Sequence, residues 1–89
     1  MFYVYILVSK KDRKLYVGYT EDLQRRMKEH NKGRSFATKP RRPFILVYYE
    51  SYLTRTDAMK RENMLKKQGA APGGLKRRIT TSLAEAELV

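Results

Sequence analysis

Apolar and polar positions alternate in short blocks along the chain, and the blocks change period. Phe2-Tyr3-Val4-Tyr5-Ile6-Leu7-Val8 is a continuous run of β-branched and aromatic residues, which predicts a strand. The polar stretch Lys10-Lys11-Asp12-Arg13 predicts a turn, and Leu15-Tyr16-Val17-Gly18-Tyr19 a returning strand. With the turn centred between Lys11 and Asp12, Leu7 lies opposite Tyr16 and Tyr5 opposite Gly18. Strand side chains alternate between faces. One face of the hairpin then carries Phe2, Val4, Ile6, Val8, Leu15, Val17 and Tyr19, a hydrophobic core. The other carries Tyr3, Tyr5, Leu7, Tyr16 and Gly18, an amphipathic face with three phenols and a bare stretch of backbone.

The period then becomes helical. Thr20 or Asp22 caps a helix to about Lys32, with Leu23, Met27 and His30 as its buried stripe and Gly33 just past its end. Arg26 falls on the edge of that stripe. Residues 34–43 form a loop with two prolines. Phe44 to Tyr49 is a second apolar run, expected to be a strand covered on both faces. Thr54 or Thr56 caps a second helix ending near Lys67, with Ala58, Met59 and Leu65 facing inward. A third short helix is expected after Pro72, through Leu75 and Ile79. These elements predict one α+β domain, which is also what 89 residues accommodate.

Charge changes the picture more than length does. Lys and Arg number 20 against nine acids, for a formal charge of +11. All twenty basic residues and seven of the acids lie in 1–78, giving that part +13. A body this basic suits a polyanion, because neutralised phosphates release condensed counterions. Lys32, Arg34, Lys39, Arg41 and Arg42 cluster in and beside the proline loop and are the expected nucleic-acid contacts, together with Gly18. The Phe2–Val8 run is too short for a membrane span, which needs about 20 apolar residues. No membrane is expected as a partner. Cys is absent, so disulfides and thiolate metal sites are excluded, and a reducing cytoplasm is the expected compartment.

Several residues ask for a chemical explanation. Glu62 lies four after Ala58 and three before Leu65, along the inward stripe. A carboxylate there costs several kcal/mol unless it is paired or bound to a cation. It is either half of an ion pair or an oxygen ligand for Mg²⁺ or Mn²⁺. Tyr5 and Tyr16 are packing tyrosines, or their hydroxyls bracket a water. Arg26 is a surface charge or a phosphate ligand that stabilises the transition state. His30, the one histidine, is a satisfied core residue, a group that fixes a tyrosine hydroxyl, or a proton carrier. Gly18 marks a bulge or a close approach of substrate.

Tyr3-Val4-Tyr5 followed by Tyr16-Val17-Gly18, with Arg26 ten residues past Tyr16, His30 four further on, and Glu62 within Asp57–Lys66, resembles the GIY-YIG nuclease superfamily. The first motif departs from the family pattern, with Tyr3 for its Gly and Val4 for its Ile. Many members carry a late asparagine that has no counterpart here. Small size and the Arg41-Arg42-Pro43 loop resemble the single-domain UPF0213-type branch.

The resemblance implies a small central antiparallel three-stranded sheet flanked by helices. It assigns 1–80 to a nuclease domain and leaves 81–89 as a flexible tail. It further implies a divalent-metal endonuclease acting on nucleic acid, DNA before RNA. Tyr16 would be the general base assisted by Tyr5, Arg26 the phosphate ligand, His30 a secondary catalytic residue and Glu62 the holder of one Mg²⁺ or Mn²⁺. A chain this short has no separate recognition domain, so a protein partner is an expected source of specificity. A nucleic-acid-binding module without catalysis is the competing reading, and a protein-interaction subunit docking through Ser82–Val89 a third.

Overall fold

The structure, a computed structural model, describes residues 1–88. Two strands, β1 (Phe2–Ser9) and β2 (Leu15–Thr20), form the hairpin, and β3 (Phe44–Tyr52) joins β1 from the other side. The sheet is antiparallel, in the order β2-β1-β3. The expected register holds: Tyr5 pairs with Gly18 and Leu7 with Tyr16. A bulge between Ile6 and Leu7 shifts the pairing to β3, so that Ile6 faces Tyr48 and Leu7 faces Leu46.

Four helices flank the sheet: α1 (Leu23–Asn31), α2 (Arg55–Lys67), α3 (Gly73–Arg78) and α4 (Thr80–Leu88). Asp22 caps α1 by accepting the Arg25 N–H at 3.0 Å. Gly33, at φ +76°, ends the helix in a left-handed turn, and Arg34 N–H closes back onto Glu29 C=O at 2.9 Å. Thr54 caps α2 through the Asp57 N–H. Asp57 in the first turn of α2 and Lys66 and Lys67 in its last turn complement the helix dipole.

The sheet separates two apolar clusters. On one face Val4, Ile6 and Val17 pack against Ala58 and Leu65 of α2, Leu75 of α3 and Ile79. On the other, Tyr5, Leu7 and Phe44 pack against Leu23 and Met27 of α1. The expected amphipathic face is therefore a second core, because β1 is the central strand and α1 covers it.

Three expectations change. The β3 run is covered on both faces only in part: Phe44 and Leu46 pack on the α1 side and Val47 and Tyr48 on the α2 side, but it is an edge strand and Tyr49 is half exposed. Met59 lies outward, leaving Ala58 and Leu65 as the buried residues of α2. The segment expected as a flexible tail is helical over 80–88: Leu83 packs on the α2-side core and Ala86 is buried. The physical reason is that α3 leaves apolar surface beside β3, and Leu83 and Ala86, three apart on one helix face, cover it. No described helix is long and apolar enough to cross a membrane.

Candidate active site

The central feature is a buried chain of hydrogen bonds on the α1 face. The Tyr5 hydroxyl meets His30 Nε2 at 2.8 Å, His30 Nδ1 meets Thr38 Oγ1 at 2.7 Å, and the Thr38 hydroxyl donates to the Ser35 carbonyl. One proton assignment satisfies all three bonds. Thr38 donates to the carbonyl, Nδ1–H donates to Thr38, and Nε2 accepts from Tyr5. His30 is thus a neutral imidazole with no exposed surface. Burial, with the nearby Arg26 charge, lowers its pKa to about 4. It fixes a tyrosine hydroxyl, one of the roles the sequence left open, and does not carry protons near neutrality.

Tyr5 is buried as well, and that burial pushes its pKa up to about 12. Arg26 counteracts the shift from alongside the phenol, while Tyr16 and Glu62 add to it. Tyr5 is therefore a fixed, neutral hydrogen-bonding group at physiological pH, and its expected part in assisting proton removal does not fit. Gly18 explains how it is seated. A Cβ on Gly18 would lie 2.3 Å from the Tyr5 hydroxyl oxygen. The phenol occupies the space above Gly18 and extends across the edge strand β2. Gly18 is thus filled by Tyr5, which corrects its expected place as a nucleic-acid contact and excludes a bulge, since β1 and β2 pair without a shift.

Tyr16 lies beside this chain and is only half-buried. Its ring stands edge-on to His30 at 5.4 Å and near Phe44 at 6.3 Å. Arg26, from the middle of α1, pairs with Glu29 at 3.1 Å and keeps about a third of its side chain in solvent. Burial works against its charge, but contact with Tyr5 and Glu29 outweighs it and raises the Arg26 pKa.

Glu62 comes from α2, on the opposite face. Its charge nonetheless adds to the upward shift of the Tyr5 phenol, whose hydroxyl end lies over Gly18 of β2. The Glu62 side chain is 14% exposed, and its ion-pair partner is the half-exposed Lys66, with Nζ 3.3 Å away. A mostly buried carboxylate with one exchangeable partner fits a single hard cation completed by phosphate and water oxygens. Among the described residues no three His, Asp, Glu or Cys side chains group as a metal cage.

A family model for the GIY-YIG catalytic domain matches residues 1–78. The chain belongs to the GIY-YIG family. This family is one of nucleases, and its substrate class is nucleic acid. UPF0213 proteins of Staphylococcus haemolyticus and Staphylococcus saprophyticus are each 46% identical to it over 65 residues, covering 72% of this chain and 78% of each relative. The solution NMR structure of a UPF0213 protein from Bacillus halodurans is 37% identical and spans 96% of this chain and 84% of that one, with a TM-score of 0.48.

Within the GIY-YIG domain the predicted basic loop does not act as one patch. Arg41 is engaged: it forms a two-point ion pair with Asp12, at 2.6 and 3.3 Å, bonds the Lys14 and Leu15 carbonyls and lies over the Phe44 ring. That pairing holds the Asp12 carboxyl well below the usual carboxylate range. Arg41 therefore ties loop to hairpin, which corrects its expected role on nucleic acid. The Arg42 guanidinium lies over Gly33. Lys32, Arg34 and Lys39 stay exposed.

Three supporting residues had no signal in the sequence. Thr38 is fully buried against His30. Asn31 accepts the Phe44 N–H at 2.7 Å and donates to its carbonyl at 3.2 Å, anchoring β3 to α1. Ser9 bonds the Arg41 carbonyl and accepts the Lys11 and Asp12 N–H groups. All three are short polar residues that gain meaning only from distant partners.

Proposed function

We propose that this protein is a divalent-metal-dependent endonuclease that hydrolyses DNA phosphodiester bonds. The observation that supports this reading is that Tyr16 and Arg26 flank the fixed Tyr5–His30 pair, with the Glu62 charge acting on the same Tyr5 phenol. Three elements, β2, α1 and α2, supply Tyr16, Arg26 and Glu62.

In this reading the Arg26 guanidinium binds the scissile phosphate and stabilises the charge that builds on its oxygens. Tyr16, open to solvent where Tyr5 is sealed, orients the attacking water and accepts its proton. Tyr5, whose hydroxyl donates to His30, accepts from Arg26 and so steadies the guanidinium that meets the phosphate. Glu62 would hold Mg²⁺ or Mn²⁺, which supplies Lewis-acid polarisation of the phosphate when bound. Binding of the cation would displace Lys66 from Glu62.

The test is nicking of supercoiled and branched DNA with Mg²⁺ or Mn²⁺. Glu62→Ala and Arg26→Ala should each lower the rate by at least about a hundredfold, the scale of a lost transition-state contact. Nicking by Glu62→Ala at the wild-type rate would mean a different site or a contaminant. Salt-sensitive binding without cleavage across metals and substrates would favour the non-catalytic binding module instead.

A further inference from the structure

The ion pairs of this molecule spend its acids in particular places. Asp12 goes to Arg41, Glu21 to Arg55, Glu29 to Arg26, Glu50 to Arg61 and Glu62 to Lys66. Fifteen of the twenty cations enter none of these pairs, Lys10, Arg13, Lys14 and Lys76 among them. The hairpin turn is left cationic because the acid within it, Asp12, is turned away toward the proline loop.

These four cations are not scattered. With Lys66 they line a groove of about 730 Å³ between the hairpin turn, the end of α2, α3 and α4. Its wall includes apolar Leu15, Val17 and Leu83, and Glu87 is its one acidic lining residue. The groove also shares two residues with the candidate active site. Tyr16 belongs to its wall at β2, with its ring on the opposite sheet face against His30, and Lys66 lines it while pairing with Glu62. A concave surface with a cationic rim, joined to the candidate site through β2 and the Lys66–Glu62 pair, matches a polyanion that continues from that site around the β2 edge. Its volume greatly exceeds one phosphate. The apolar floor suits sugar faces between charged contacts.

We infer that this groove carries the nucleic-acid backbone away from Tyr16, with Lys10, Arg13, Lys14 and Lys76 as its phosphate contacts. This rests on the nuclease reading and adds the route of the substrate. It moves the main binding surface from the proline loop, where Arg41 is already engaged, to the opposite side of the hairpin. Glu87 on α4 opposes the bound phosphates and weakens the contact.

The experiment measures binding of a fluorescein-labelled DNA duplex, and of one of its strands alone, by anisotropy in EDTA across a KCl series. The full chain is compared with Lys14→Ala, Lys76→Ala, Glu87→Lys and, as charge controls outside the groove, Lys28→Ala and Lys60→Ala. Each phosphate contact contributes roughly 0.9 to the slope of log affinity against log salt. Lys14→Ala and Lys76→Ala should each reduce that slope by about 1 and lower affinity on the order of eightfold at 0.1 M salt. Glu87→Lys should raise affinity several-fold, a gain that a damaged fold would not produce. The controls should change the slope by less than half as much. Groove variants that behave like the controls, or Glu87→Lys without effect, overturn the route. If wild-type nicking persists with that result, the nuclease reading survives alone. A wild-type chain with no salt-dependent binding overturns both.

Discussion

His30 shows what a single residue can encode once its surroundings are known. On a helical stripe it is an ambiguous histidine. In the fold it is the middle of a buried relay from Tyr5 to Thr38, neutral, with a pKa near 4 against an ordinary value of 6.5. The unfolded chain therefore takes up a proton at a higher pH than the folded one. Stability from this group is complete above about pH 6.5 and is lost as pH falls toward 4, by up to about 3 kcal/mol. Urea unfolding at pH 7.5, 6.0 and 5.0 should show that loss. The same series on His30→Gln should be flatter across the window, before the carboxylates titrate. A wild-type stability that does not change between pH 7.5 and 5.0 would contradict the neutral relay.

At the scale of elements, the helix ends, strands and hairpin register were legible because each has a local cause. Asp22 and Thr54 cap their helices, Gly33 turns out of one, and the polar turn sets the pairing of Tyr5 with Gly18. The join between β3 and α2 was not legible. There Glu50 receives the Arg61 guanidinium at 2.9 and 3.0 Å and the hydroxyls of Tyr48 and Tyr52. Burial opposes the charge on Glu50, but these contacts outweigh it and lower its pKa. The same burial, together with Glu50, pushes Tyr52 up to about 12. Such a cluster should matter far more than the exposed pair of Arg55 and Glu21. Arg61→Ala is expected to cost about 2–3 kcal/mol in equilibrium unfolding, because Glu50 is left without its cation. Arg55→Ala should stay within about 0.5 kcal/mol. Equal costs for the two arginine variants would show that the cluster is no stronger than a surface pair.

For the whole molecule, the α4 segment changes the account of where the domain ends. The short basic body looked complete without residues 81–89, and the acidic, alanine-containing segment read as a tail. In the fold Leu83 and Ala86 close the α2-side core, and Glu87 stands on the groove wall. Truncation after Ile79 is expected to lower stability by about 2 kcal/mol, the scale of exposing one leucine and its neighbours, seen as a lower denaturation midpoint. An unchanged midpoint would return the segment to the status of a tail.

The sequence by itself determined the α+β class, the three strands, the caps and the spacing that brings Tyr16, Arg26, His30 and Glu62 into a family pattern. Those properties rest on local periodicity, turn chemistry and residue identity, which are written along the chain. Only the tertiary structure decided that Tyr5 is sealed over Gly18, that His30 is neutral and that Arg41 is taken by Asp12. It also decided that Lys10, Arg13, Lys14 and Lys76 line one groove. Each of these depends on which distant group lies within a few ångströms, and burial and charge pairing act over that distance whatever the separation in sequence.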